Sequence, residues 1–430
     1  MEYCHTDSEL LTQFHKNIPQ LRFSGFKKIE NEKLKDENWF SAPASEIFIS
    51  VNDRNHPELP VLSASQELGM IYRDEGGMNI FHDVANEITY KRVEPGQFVI
   101  HLRSFQGGFA HSKVEGITSP AYTILDFKDR NKHNDLFWKY VLTSDEFIKR
   151  LELITYGIRD GRSINFSDFS TLNFYFPSYE VQQKIGTFLS HVDSLIQAKT
   201  QKLDSLKSVK KSLLQKCFPK ADEKVPEMRF AGFSGDWEEK KLGEFCKLFG
   251  RIGFRGYTEK DLVKEGEGAI TLSPSNIVDG IMNYSKCTYI SWYKYEESPE
   301  IKINNGDILL VKTGSTFGKT ALVTNLPCEA TINPQFVVIK NIKIDNIFLS
   351  YLLSHDLIQN QINSTVVGGA IPTMSQEVIK NFNILIPSAT KEQQKIGHFF
   401  SKYDSLISAQ QKEIDKLKDI KKSLLQKMFV

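Results

Sequence analysis

The chain has 430 residues, 40% of them apolar and 25% charged, with a formal net charge of +1. That length exceeds one ordinary core and predicts two or three domains of folded-protein composition. No apolar run approaches the roughly 20 residues that cross a bilayer, which excludes a helical membrane span. Five scattered cysteines (Cys4, Cys217, Cys246, Cys287, Cys328) make no C-x-x-C pair. They speak against zinc and a disulfide framework and for a reducing cytoplasm.

In chain order, residues 1–17 read as a polar leader, without the basic and apolar regions of a secretory signal. A first variable domain, 18–176, opens with IPQLRFSGF and continues to Trp39, with Glu46 seven residues later. Its segments PVLSAS, GQFVIHLRS, AYTILDF and LNFYFP predict short strands, and NDLFWKYVLTSDEFIKRLELI, from Asn134, predicts one helix. A proline-ended strand, FYFPS, then leads into a long helical segment, 177–218. PKADEKVP, 219–226, has the composition of a linker. The second variable domain, 227–386, begins within the opener VPEMRFAGF, from Val225, and repeats the spacing with Trp237 and Glu244. AITLSPSNIV, NGDILLVKTG, KTALVT, PQFVVIKNI and FNILIP predict strands, and NIFLSYLLSHDLIQNQI, from Asn346, predicts one helix. The strand ILIPS then leads into a second long helix within 387–430.

The chain is thus built twice. QQKIGTFLSHVDSLIQAKTQKLDSLKSVKKSLLQKCF, 182–218, returns at an offset of 211 as QQKIGHFFSKYDSLISAQQKEIDKLKDIKKSLLQKMF, with 23 of 37 positions identical. Ile185, Leu189, Val192, Ile196, Leu203, Leu206 and Leu213 follow alternating 3- and 4-residue steps, with Lys199 and Lys210 at weak positions. Ile396, Phe400, Tyr403, Ile407, Ile414, Leu417, Leu424 and Met428 hold the same register. This is a heptad seam that requires a partner helix. The natural arrangement is antiparallel pairing of the two copies about a pseudo-twofold axis; an intermolecular coiled coil is the alternative. The expected fold is therefore α+β, with two mixed domains separated by two long paired helices. The helices carry the positive charge: seven lysines against two aspartates in the first copy, eight lysines against four acids in the second.

This layout resembles the specificity subunit of type I restriction–modification enzymes. The duplicated QQKIG…DSLI…KKSLLQK segments and the RF-x-G-F openers carry the resemblance, with GDILLVKTGSTFGKTALV and PGQFVIHLRSFQGGFAHSKVEGITSPAYTIL. It implies that each variable domain is a target recognition domain reading half of a split double-stranded DNA site, with the helices as a spacer. It further implies docked methyltransferase subunits, expected to be two, that methylate adenine from S-adenosylmethionine. A separate restriction subunit, using ATP and Mg, would translocate and cut DNA. The chain itself would bind none of these cofactors and would not be an enzyme alone.

Two motifs invite other readings. VKTGSTFGKT imitates a phosphate-binding loop, but three residues rather than four separate Gly314 from Gly318. Asn333-Pro334-Gln335-Phe336 imitates the NPP-aromatic motif of adenine methyltransferases without its second proline, and a turn before a strand explains it more simply. No metal-ligand spacing is found among the histidines. A stand-alone methyltransferase or nuclease with its own recognition domains, or a coiled-coil scaffold without DNA readout, remain the alternatives.

Base readout needs arginines, amides and hydroxyls on exposed loops. In the second domain the candidates are Arg251, Arg255, Ser273, Ser275, Asn276, Lys312, Thr313, Ser315, Lys319, Thr373 and Ser375. In the first they are Ser65, Gln66, Arg103, Ser104, Gln106, Arg159, Arg162 and Ser163. For each, contact with phosphate alone, or with solvent, is the competing role.

Overall fold

The computed structural model describes residues 39–65, 68–76, 84–154, 164–251, 253–365 and 372–429. Of the sequence-selected residues, Gln66, Arg159, Arg162 and Ser163 lie outside this set, as do the leader and the first opener. The chain divides into two compact units, Met1–Thr200 with Glu413–Val430, and Gln201–Lys412.

In the first unit a four-stranded antiparallel sheet runs in the order Phe48–Val51, Thr123–Phe127, Phe98–Ile100, Ala110–His111. Its inner face is aromatic: Phe48, Phe98, Phe109, Phe137, Trp138, Phe147 and Phe169 are almost fully buried in one cluster. Edge-on contacts such as Phe48–Trp138, at 5.2 Å, fill that core. Strand Trp39–Pro43 pairs antiparallel with Asn173–Pro177, the strand that leads into the first long helix, Tyr179–Cys217.

The second unit repeats this plan with different residues. Lys247–Gly250, Phe336–Lys340, Ile308–Val311 and Thr320–Leu322 lie in the same antiparallel order, extended by Ile281–Met282 and Ile277–Val278. Its core is aliphatic, built on Ile308, Leu310, Val337, Ile339, Leu349 and Leu352. Strand Glu238–Lys241 pairs with Asn383–Ile386, which leads into the second long helix, Thr390–Met428.

Each helix expected late in a domain proves to be two. In the first unit Asp135–Val141 and Asp145–Ile154 are separate, because Ser144 starts a new helix by accepting from Phe147 N at 3.1 Å. In the second, Asn346–Ser354 stops at His355, whose extended backbone and Nδ1 cap Asp356–Ser364. Capping polar groups override a continuous apolar pattern here.

The long helices pair antiparallel in both units. In the first, the start of one meets the end of the other: Met428 shares a core cluster with Ile185 and Leu189. In the second, the ends are reversed, with the Phe218 ring stacked 6.3 Å from Phe400. Ile185, Leu189, Leu203, Ile396, Phe400, Ile407, Ile414 and Met428 are buried. Val192, Ile196, Leu206, Leu213, Tyr403, Leu417 and Leu424 are half-buried on the same seam. Each fully buried apolar side chain on the seam contributes roughly 2 kcal/mol, and each half-buried one less. The weak seam lysines are partnered: Lys199 reaches Glu413 at 2.8 Å, and Lys210 reaches Asp404 at 2.5 Å.

The repeated QQKIG motif works as a joint between the long helix and the lobe that precedes it. Buried Gln182 accepts from Asn134 N at 2.9 Å and donates to Lys132 O and Pro177 O. Gln393 accepts from Asp345 N at 3.1 Å and donates to Pro387 O. One turn later a Cβ on Gly186 would stand 2.6 Å from Phe137 N, and one on Gly397 2.9 Å from Phe348 N. Only glycine lets the capped start of the lobe helix approach so closely. A polar cluster completes each joint. Asp193 accepts from Tyr140 Oη at 2.7 Å and from Lys421 Nζ at 2.5 Å; Tyr351 Oη donates to Asp404 at 2.5 Å beside Lys210. Burial alone would raise the Asp193 pKa, but donation from Lys421 and Tyr140 outweighs it and holds the carboxyl low. The second opener is also anchored: Arg229 forms a two-pronged pair with buried Glu392, at 2.8 and 2.9 Å.

Candidate nucleic-acid interface

In the second unit three connections converge on an open cleft of about 550 Å³. They are the turn at 273–279, the tip of the hairpin joining Ile308–Val311 to Thr320–Leu322, and the turn before strand Phe336–Lys340. Ser273, Ser275, Asp279, Ser315, Thr316, Lys319 and Gln335 supply its polar lining.

Each turn is held by its own sequence. Asn276 is buried; its Oδ1 accepts from Ser273 N at 2.9 Å and its Nδ2 donates to Asn283 O and Lys286 O. That leaves Ser275 exposed beside Ser273, their hydroxyls 2.7 Å apart. The hairpin tip turns through Gly314 and Gly318, at φ of +102° and +84°, where a side chain would be strained. The Gly-rich segment therefore joins two antiparallel strands, not a strand to a helix, and cradles no phosphate in the manner of a nucleotide loop. Thr313 and Thr373 share a hydroxyl contact of 2.8 Å, which brings the 372–375 loop alongside. Exposed Ser375 accepts from Val378 N and starts a short helix. Lys207 of the first long helix ties down the cleft rim through Asp279, at 2.7 Å.

The structure corrects three of the sequence-selected residues. Arg251 is 5% exposed, and its guanidinium donates to Ile332 O, Arg255 O and Thr331 Oγ1. Each of its three nitrogens donates to the protein and the side chain is buried, so it presents no fork outward. Asn276 is likewise a scaffold residue. Ser104 is fully buried and accepts from His101 N at 2.8 Å, starting the helical turn Ser104–Gly107. Arg255 is half-buried, donates to Glu297 O and lies 3.5 Å from Glu300. Ser273, Ser275, Ser315 and Lys319 do come together, with Lys312, Thr313, Thr373 and Ser375 on adjoining loops.

In the first unit, Arg103 and Gln106 are exposed at the tip between strands Phe98–Ile100 and Ala110–His111. That hairpin occupies the place of the Ile308–Leu322 hairpin in the matching sheet order. Ser65 ends a strand and accepts from Leu68 N at 3.3 Å. Burial, with Arg103 adding repulsion, lowers the pKa of neighbouring His101 to about 4.

Two matching sheets, each offering a polar hairpin tip, and two long helices joined to them by one repeated motif define a family arrangement. The pattern for the type I restriction modification DNA specificity domain matches residues 40–208 and 234–419. This chain belongs to that family. The type I specificity chain is 30% identical over 210 residues to the MjaVIII specificity subunit of Methanocaldococcus jannaschii, covering 48% of this chain and 45% of that one. The aligned region thus spans less than half of that relative. With the MjaIX specificity subunit of the same organism it shares 23% identity over 374 residues, 83% of this chain and 82% of the other. A crystal structure of the type I specificity subunit from M. genitalium has the same fold, with a TM-score of 0.56 at 15% identity over 96% and 99% of the two chains. No helix among the described residues is long and apolar enough to cross a membrane.

Gln335, Thr316 and Asp279 escaped selection from the sequence. Gln335 sat within a motif read as a plain turn; the signal available was an amide residue directly before a strand whose neighbours are all apolar.

Proposed function

We propose that this type I specificity chain is the non-catalytic address subunit of a restriction–modification complex. Each unit reads one half of a bipartite target in double-stranded DNA. Partner methyltransferase subunits, two in this reading, dock around the lysine-bearing helices and methylate adenine, while restriction subunits translocate and cut. S-adenosylmethionine, ATP and Mg act in those partners, in the cytoplasm.

The observation that carries this reading is the duplicated joint. Gln182, Gly186 and Asp193 recur as Gln393, Gly397 and Asp404 with the same partners in each unit. The polar residues at the hairpin tips differ, HLRSFQGGF against VKTGSTFGK. A shared mount with different tips is what two independent readers of different half-sites require. Lysines on the helices can add sequence-independent attraction to phosphates.

The test is a lobe exchange. Replacing residues 18–176 with the corresponding lobe of another specificity subunit is expected to change one half of the methylated motif and leave the other unchanged. Methylation sequencing of the host genome reads this directly. A change in both halves would overturn independent reading, and no motif at all would overturn the proposed function.

A further inference from the structure

We infer that Gln335 is a base-reading residue of the second unit, and that the base it takes is an adenine presented at the major-groove edge. The inference rests on the DNA-reading role proposed above and assigns one contact within it.

The carboxamide is fixed in orientation by a chain of donors that starts from a certainty. Gln335 N can only donate, and it donates to Asn333 Oδ1 at 3.0 Å. Asn333 must therefore direct its Nδ2 the other way, and that group donates to Gln335 Oε1 at 3.0 Å. Gln335 Oε1 is thereby identified, so its Nε2 is the opposite edge. Asn333 is 8% exposed, and its own N–H donates to Leu272 O at 2.9 Å, so the template is anchored to a sheet strand. The Gln335 carbonyl accepts from Lys312 N at 2.8 Å, which ties the same residue to the base of the hairpin tip.

Space has been left for this amide. A Cβ on Gly314 would stand 2.9 Å from Gln335 Nε2. The glycine in the phosphate-loop imitation therefore serves the side chain opposite. Gln335 is half-buried at the cleft, with Ser315, Thr316 and Lys319 facing it from the hairpin tip and Ser273, Ser275 and Asp279 from the other turn.

The chemistry that remains is one Oε1 lone pair and the Nε2 hydrogens, for which no acceptor is found among the described residues. An acceptor beside two donors matches the N6–H and N7 of adenine, the pairing that glutamine makes in a bidentate contact. Guanine offers two acceptors at the same edge and would leave Oε1 opposed to O6. Pre-orientation by Asn333 removes rotamer freedom before DNA arrives, which sharpens discrimination between these edges. Lys319 and the serines beside it have no comparable fixed orientation, and the proposal gives them phosphate and water contacts.

The experiment uses the full chain in complex with its methyltransferase subunits, in a host free of adenine methylation, with every modified site sequenced. The wild-type complex should give a split motif; its absence would remove the proposed function and not this assignment alone. Gln335→Ala should relax one adenine position in one half-site by about tenfold to a hundredfold, with the other half unchanged. Gln335→Glu keeps the shape and leaves only acceptors, so preference at that position should move toward cytosine, whose N4 donates. Lys319→Ala should weaken modification evenly across sites and reduce the salt slope by about one. If both Gln335 variants methylate the wild-type motif with undiminished discrimination, Gln335 is a structural residue only and the assignment fails.

Discussion

The joints and the hairpin tips obey opposite rules. At the joints, residues 211 apart do the same work with the same atoms: Gln182 and Gln393 bridge strand and lobe, and Asp193 and Asp404 each collect a tyrosine and a lysine. At the tips, one sheet plan carries unrelated residues. The first unit's hairpin tip carries Arg103 and Gln106, where the second unit's carries Thr313 and Thr316 beside Gln335. The difference teaches which constraints are geometric and which are chemical. A joint must hold one distance and angle, so a single solution is used twice. On the proposed reading a tip must match a base edge, and different bases need different donors.

Four measurements test this contrast. The largest effect is expected at the joint glycines. Gly186→Val and Gly397→Val drive a side chain into the capped start of the lobe helix and should cost about 3 kcal/mol or more, with Gly186 the worse because its approach is tighter. Chemical denaturation would show it, and a loss under 1 kcal/mol would mean the joint is not close-packed. Next, Asp193→Ala and Asp404→Ala each strand a lysine and a tyrosine hydroxyl and should cost about 2 kcal/mol. Asp193 should cost more, since Lys139 also contacts it at 3.2 Å. Equal losses would assign the effect to the helix seam.

Acid should separate the units. Burial lowers His133 and His355 to about pKa 4, and His101 joins them in the first unit. The unfolded imidazole, at its ordinary 6.5, binds a proton before the folded one does. Stability is therefore complete above pH 6.5 and falls as pH drops toward 4, by about 2 kcal/mol for each imidazole between pH 7 and 5. Among the described residues the first unit holds two such groups and the second one, so hydrogen exchange should show the first opening sooner at pH 5. The reverse order would contradict it. The smallest effect belongs to the exposed Lys207–Asp279 pair. Lys207→Ala should change stability by less than about 1 kcal/mol, so a larger loss would make it part of the core architecture.

Much of this was legible before the structure. Heptad spacing alone identified the seam, and all the named positions lie on the buried or half-buried face, because a period of 3.5 permits no other packing. The lobe helices were misread as single because Ser144 and His355 act through capping hydrogen bonds that leave the apolar period intact. The candidate readers fared less evenly. Ser275, Ser315 and Lys319 reached the cleft, whereas Arg251, Asn276 and Ser104 turned inward. A polar residue on a glycine-rich loop has two uses, holding the loop or facing outward, and composition does not distinguish them.

The duplication, the helix seam and the alternation of lobes and rods are written in the sequence, because these depend on local periodicity and on similarity along the chain. Only the tertiary structure decided that the two lobes share one sheet order beneath dissimilar residues, that the QQKIG glycine admits a helix start, and that Asn333 orients Gln335. Those facts arise from partners far apart in the chain, where a hydrogen bond or a close approach is fixed by three-dimensional placement and leaves no period to read.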